Sequence, residues 1–291
     1  MITITKDGKY FYEVPETIYT KNARYELCES LGVGGNSAVW ECLDNDGSSY
    51  AIKFLLNLNE QSKKRFFQEV KLHSQLTHEH FIHYIDSGEV EASEQRSKRE
   101  KNKKCIIPFI VMEKAEKNLM EYIKEHKGIT YSEYIQQFLG LSDALGELHK
   151  MAIHRDLKLE NILIVGDRWV IGDFGLCSFL DDDHEDLTCE NEKVGPKYWM
   201  SPEAINRLYD KTVEIVPASD VFQMAAIFWF VVNNRFPLGI VTDKDWKSQD
   251  IEICNVLLLG LQHSAEARIQ CGSDFHKGIE EVAQYFRSSK R

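Results

Sequence analysis

Ile153-His154-Arg155-Asp156-Leu157-Lys158-Leu159-Glu160-Asn161, followed by Asp173-Phe174-Gly175, is the stretch whose reading decides the fold. Ahead of it, residues 132–151 carry Tyr134, Ile135, Phe138, Leu141, Leu145 and Leu148 at helical spacing. Asp156 therefore falls on a short loop after an apolar-periodic helix. Beyond it, Ile162–Ile164 and Trp169–Ile171 flank Val165-Gly166-Asp167-Arg168, the pattern of a hairpin. That hairpin brings Asp173 back beside the first loop. Two carboxylates, the Asn161 amide oxygen and the Lys158 ammonium then converge. Hard oxygen ligands suit magnesium, and cations suit a polyphosphate.

The order His-Arg-Asp-Leu-x-x-x-Asn, then Asp-Phe-Gly, resembles the eukaryotic-like, Hanks-type protein kinases. The resemblance implies an α+β, bilobal protein-kinase fold: a small, mostly antiparallel β lobe with one helix, and a larger, mainly helical lobe. It implies transfer of the γ-phosphoryl group of ATP, with Mg2+, to hydroxyls of a protein substrate. In that scheme Asp156 accepts the hydroxyl proton, Lys158 sits on the γ-phosphate, and Asn161 and Asp173 hold the metal. Residues 1–24 would be an N-terminal extension, 25–115 the small lobe and hinge, and 116–291 the large lobe.

Upstream matches occur in the family's order. Leu31-Gly32-Val33-Gly34-Gly35-Asn36-Ser37-Ala38-Val39 follows a strand, and glycines let a backbone approach a phosphate and aim amides at it. Alone, this stretch reads equally well as an ordinary hairpin turn. Ala51-Ile52-Lys53-Phe54 follows one strand later, where the family carries its lysine for the α/β-phosphates. Ser37 replaces the family's usual third glycine, which predicts a stiffer loop. Residues 61–76 read as a helix, and Glu69 falls where the family's lysine-holding glutamate falls. His73, one turn on, replaces an apolar residue that usually stacks on the Asp-Phe-Gly phenylalanine. Pro108 is expected to open a strand, Phe109–Met112, because proline is poorly tolerated inside a central one. Met112 then matches the gatekeeper, and backbone groups of Glu113 and Ala115 meet the adenine. Leu31, Gly32, Gly34, Val39, Ala51 and Leu163 complete the implied nucleotide pocket.

Downstream, Asn118–Lys127 reads as a short helix. Ser201-Pro202-Glu203 closes the family's activation segment, with serine in place of the usual alanine. Asp220 matches the aspartate that anchors the catalytic-loop backbone, and Phe222–Asn233 reads as the buried helix after it. The arginine that usually pairs with Glu203 has no clear motif, and Arg268 is a candidate. Arg155, ahead of Asp156, implies control by an acidic group on the segment. The matching position, three residues before Gly195, is Glu192, which reads either as part of a solvated acidic loop or as a permanent substitute for a phosphate that pairs with Arg155. Ser178 and Thr188 are candidate autophosphorylation sites.

The acceptor signals conflict. Lys158 resembles the serine/threonine kinases, whereas Pro196-Lys197-Tyr198-Trp199-Met200 resembles the tyrosine-kinase ending. Serine/threonine is the reading taken, because Lys158 acts on the transferring phosphate itself; a tyrosine or dual-specificity kinase is the alternative. A pseudokinase scaffold commonly lacks one of Lys53, Asp156, Asn161 and Asp173, and this chain has all four.

The rest of the composition narrows the class. A formal charge of −11 argues against a general nucleic-acid or anionic-membrane binder. Seven cysteines, an odd number with no C-x-x-C pair, suit reduced thiols in a cytoplasmic protein. The longest apolar run, Met224–Val232, is far below the roughly 20 residues that span a bilayer. Ile2–Val14 alternates around Lys6-Asp7-Gly8-Lys9, a hairpin signal to which no function attaches. Glu91–Lys104 is polar and basic at its end, and reads as a solvated loop between two strands.

Overall fold

Period-two alternation builds the first half of the chain. In 49–55, Ile52 and Phe54 enter one apolar cluster while Leu55 enters another, so the strand serves two layers. The computed structural model describes residues 1–6, 10–94, 103–126, 128–180, 198–248 and 250–289. Contacts divide the chain into two compact units, Met1–Thr77 with Ile82–Ala115, and His78–Phe81 with Glu116–Arg291.

The first unit is an eight-stranded antiparallel sheet and one helix. Its strands are β1 (Ile2–Lys6), β2 (Tyr10–Val14), β3 (Thr17–Tyr19), β4 (Arg24–Val33), β5 (Ser37–Leu43) and β6 (Ser49–Leu55). Helix α1 (Glu60–His73) follows, then β7 (Tyr84–Glu94) and β8 (Lys103–Glu113). The sheet order is β1-β2-β7-β8-β6-β5-β4-β3, and it curls until β1 also touches β5. Ile4, Tyr12 and Val14 thereby join Leu27, Ile52 and Phe109 in one buried cluster. The N-terminal hairpin is thus part of the core of the first unit. Helix α1 starts at an Asn59 cap, whose Oδ1 accepts from the Ser62 amide at 2.7 Å.

The sheet departs from the sequence expectations at two places. The strand expected to open at Pro108 runs from Lys103 to Glu113, and Pro108 lies within it opposite Glu89. Pairing to β6 stops at Phe109, so only one flank carries a ladder at Pro108, the edge-like position that proline tolerates. Of the loop expected over 91–104, residues 91–94 belong to β7 and 103–104 to β8, because Val90 and Ala92 alternate into the core and carry β7 on to Glu94. Residues 95–102 lie outside the described residues.

The second unit is mainly helical. It begins with β9 (Lys117–Asn118), α2 (Leu119–Glu125), α3 (Tyr131–Leu148), β10 (Ala152–Ile153), β11 (Ile162–Val165), β12 (Arg168–Ile171) and β13 (Ser178–Phe179). Helices α4 (Pro202–Asn206), α5 (Pro217–Asn233), α6 (Ile251–Gly260) and α7 (Gly272–Ser289) complete it. Capping boxes at Asn118/Glu121 and Thr130/Glu133 start α2 and α3. Helix α3 ends at Leu148, three residues short of the expected Met151, and α1 stops at His73 rather than Leu76. Helix α5 starts five residues before the expected Phe222, because Pro217 suits the first turn and Ser219 caps the Val216 amide. It is buried nearly all round and stacks Phe228 on Phe138 of α3 at 3.7 Å between ring centroids. No helix among the described residues is long and apolar enough to cross a membrane. Residues 181–197, with Glu192, Thr188, Gly195 and Pro196, lie outside the described residues.

Candidate active site

Lys53 on β6 and Glu69 on α1 meet within the first unit. Their Nζ–Oε1 distance is 2.6 Å, and the side chains are 11% and 6% exposed. Shielding from water makes such a pair electrostatically stronger than a surface one, and a lysine held this way keeps a fixed position. Gly34 closes the β4–β5 turn by donating to the Ser37 carbonyl at 2.8 Å. Gly32 and Gly35 have no left-handed φ, and a Cβ added to either would meet nothing within 4 Å. The protein's own packing therefore does not require glycine there; close approach of a ligand would. Leu31 is exposed and Ala51 buried, with Val39 half-buried beside Gly32 across the turn. At the end of β8, the Glu113 amide donates to the His83 carbonyl, and Lys114 reaches Glu41 at 2.5 Å. The bond from Lys114, then that from Ser49, holds the Glu41 carboxyl below its ordinary range.

In the second unit, β10 ends at Ile153 and the loop after it is pinned by α5. Asp220, fully buried in the first turn of α5, accepts the His154 amide at 2.6 Å and the Arg155 amide at 2.8 Å. Gln223, one turn on, accepts the Leu157 amide at 3.0 Å. Arg155 takes a left-handed φ of 69°, a conformation that surrounding bonds must hold. Asp156 then presents a carboxylate to two donors, Lys158 Nζ at 2.6 Å and Asn161 Nδ2 at 3.0 Å. Asn161 Nδ2 also reaches the Asp156 carbonyl at 2.8 Å. With its donor end committed to Asp156, the amide turns Oδ1 the other way, as a metal ligand requires.

The β11–β12 hairpin pairs Ile162 with Ile171 and returns the chain to this loop. The Gly172 amide donates to the Asn161 carbonyl at 2.9 Å, and the Gly172 carbonyl lies 3.2 Å from His154 Nε2. Asp173 follows at a φ of 58°, with an exposed side chain. Phe174 is buried against His154 and Phe81, with ring centroids 5.7 and 5.8 Å away. Leu163 pairs with Asn118 of β9. Ser178 sits on β13, opposite Ile153 of β10. Among the described residues no three His, Cys, Asp or Glu side chains form a metal cage. The oxygen pair Asn161 and Asp173 suits a hard cation that takes its other ligands from phosphate and water.

Glu203 and Arg268 form a two-pronged, buried pair, at 2.7 and 3.2 Å. Arg268 also donates to the Ala218 carbonyl and lies over the Phe222 ring. Burial by itself would raise the Glu203 carboxyl; the Arg268 bonds, with Ser219, outweigh it and hold the group below its ordinary range. Met200 packs against a buried cluster of Ile153, Ala204 and Ile215. Sequence reasoning missed Gln223, which accepts the Leu157 amide, and His149, whose Nε2 lies 3.1 Å from Asp220 Oδ2. Gln223 left a signal, since it is a polar residue inside an apolar helical run.

A profile described as protein kinase domain matches residues 25–288. A probable serine/threonine-protein kinase PknB of Bifidobacterium longum is 29% identical over 221 residues, 74% of this chain and 31% of that protein. The protein of the same name from Corynebacterium glutamicum is 30% identical over 221 residues, covering 74% and 32%. Serine/threonine-protein kinase tousled-like 2 of Xenopus tropicalis is 27% identical over 254 residues, covering 80% and 34%. The chain spans about a third of the length of these curated relatives.

Proposed function

This chain belongs to the protein kinase family, and from that premise we propose that it transfers the γ-phosphoryl group of ATP to serine and threonine hydroxyls of protein substrates. The observation that carries the proposal is the Asp156 carboxylate, held between Lys158 and Asn161 on a loop pinned by Asp220. Asp156 accepts the proton of the attacking hydroxyl as its oxygen bonds to the γ-phosphorus and ADP leaves. Lys158 neutralises charge on the transferring group, and Lys53, steadied by Glu69, does so on the α/β-phosphates. Gly32, Gly34 and Gly35 admit the phosphates close to backbone amides. Asn161 and Asp173 would hold magnesium, which when bound neutralises the polyphosphate and orients it. A groove of about 900 Å3 with mixed walls, Met200, Phe222 and Leu238 beside Asn206, Asp243 and His263, is a candidate seat for a segment of the acceptor protein. The names of the relatives favour serine and threonine over tyrosine.

Lys53→Ala and Asp173→Ala should each leave a folded protein and lower turnover on the order of 10²- to 10³-fold or more. Rates with labelled ATP and magnesium, alongside circular dichroism, check this. Near-wild-type turnover in Asp173→Ala would remove that residue from the metal site.

A further inference from the structure

Val39 and Glu41 of β5 lie on one face of the sheet, because side chains alternate along a strand. Directly opposite them on β6 stand Lys53 and Ala51, and opposite those on β8 stand Ile110 and Met112. Lys114, one residue past β8 and two past Met112, continues that row. Val39, Ala51 and Lys53, implied in the nucleotide pocket, thus share a face with Glu41 and Lys114. Ile52, Phe54, Phe109 and Val111 fill the core on the other face.

Glu41 and Lys114 join at the end of this face. Lys114 Nζ donates to Glu41 Oε1 at 2.5 Å, and the side chains are 31% exposed for Lys114 and 16% for Glu41. Ser49 Oγ of β6 donates to the same oxygen at 2.6 Å, so the carboxylate is oriented from two sides. Backbone pairing of β8 with β6 ends with Glu113 opposite Tyr50. On the other flank the Glu113 amide donates to the His83 carbonyl at 2.9 Å. The peptide that follows is tied back to the sheet by the Lys114 side chain, which reaches across β6 to β5.

We propose that the Glu41–Lys114 pair is a specificity device for the nucleotide base: tying Lys114 to β5 fixes the peptides on either side of it, where backbone groups of Glu113 and Ala115 meet adenine. Glu41 and Lys114 are positioning residues and touch no reacting atom. The proposal rests on ATP being the phosphoryl donor, with its base on that backbone. A backbone already held in place loses less freedom on binding. It also discriminates, because adenine offers an amino group where guanine offers a carbonyl oxygen. The competing role is a staple, in which the pair joins β5 to the end of β8 and adds stability alone.

Three variants of the full chain separate these roles. Lys114→Met keeps the apolar stem and removes the charge. Lys114→Glu sets two carboxylates against each other. Lys114→Glu combined with Glu41→Lys restores the pair with its charges exchanged. The readout is the ratio of the Kd values for GTP and ATP, each with magnesium, by calorimetry and competition, alongside Tm. The triphosphate and its response to net charge are common to both nucleotides, so the ratio reports the base. Base positioning predicts that the preference for ATP falls about fivefold in Lys114→Met and about tenfold in Lys114→Glu, and returns to within about twofold of wild type in the double variant. If affinities for ATP and GTP fall together and follow Tm, the pair is a staple and the proposal is overturned. An unchanged ratio in both single variants, or no recovery in the double variant, would overturn it as well. A wild type that binds no adenine nucleotide would refute the proposed function and this device with it. A wild type that prefers ATP as strongly as every variant would refute the device alone.

Discussion

His73 shows how one substitution changes the physics of a helix face. The imidazole is 2% exposed, and its Nε2 lies 2.7 Å from the Ile82 carbonyl. Burial pushes its pKa down from 6.5 to about 4, against the Ile82 bond and with help from the Lys53 charge. Below pH 6.5 the unfolded chain binds a proton that the folded chain refuses. The stability linked to His73 is therefore complete above about pH 6.5 and falls by about 1.4 kcal/mol per pH unit as pH drops toward 4. His80, also lowered by burial, adds to the loss in the same direction. Urea melts of His73→Leu between pH 4.5 and 7 should show a pH slope smaller by about one proton. An unchanged slope would mean that other groups govern acid sensitivity. At this scale the juxtapositions legible in the sequence were Lys53 with Glu69 and Asp220 with the His154-Arg155 backbone, and both are present in the structure. The place of His149 was illegible because its two bonding partners, Asp220 and Gly272, lie far away in the chain. Arg268 lacked its usual motif, yet it reaches Glu203 from a loop of irregular structure.

Among the elements, the N-terminal hairpin changes most between sequence and structure. Alternation in Ile2–Val14 identified two strands but not their partner. The partner is β7, which runs on to Glu94 and pairs Tyr12 with Glu94 and Glu13 with Ser93. The hairpin then lays Ile4, Tyr12 and Val14 into the core, and Tyr12 donates to the buried Leu56 carbonyl at 2.9 Å. Ile4→Ala should cost about 2–4 kcal/mol of stability, as for a fully buried aliphatic side chain. Denaturant unfolding measures it, and a cost below about 0.5 kcal/mol, the range of surface substitutions, would show that the hairpin is dispensable. Helix interiors were legible from apolar spacing, whereas their ends were set by caps and by side chains committed elsewhere. Helix α3 ends at Leu148 where the bonding tightens, the Lys150 amide donating to the Glu147 carbonyl and the Met151 amide to the Leu148 carbonyl.

For the whole molecule, the ordered motifs carried the fold class: a sheet with one helix in the first unit, and a mainly helical second unit built on the buried α5. The formal charge of −11 argues against general polyanion binding, so the phosphates of the proposed ATP substrate would be met by particular cations. Lys53 and Lys158 are the cations proposed for that task, and each is held by a carboxylate, Glu69 and Asp156 respectively. The central claim is phosphoryl transfer to serine and threonine through Asp156. Its most direct test is incubation of the wild type and Asp156→Asn with γ-labelled ATP, magnesium and a mixed protein substrate, followed by phosphoamino-acid separation. The proposed mechanism predicts labelled phosphoserine and phosphothreonine from the wild type, reduced on the order of 10²- to 10⁴-fold in Asp156→Asn. Phosphotyrosine as the main product, or equal labelling by the two proteins, would contradict it.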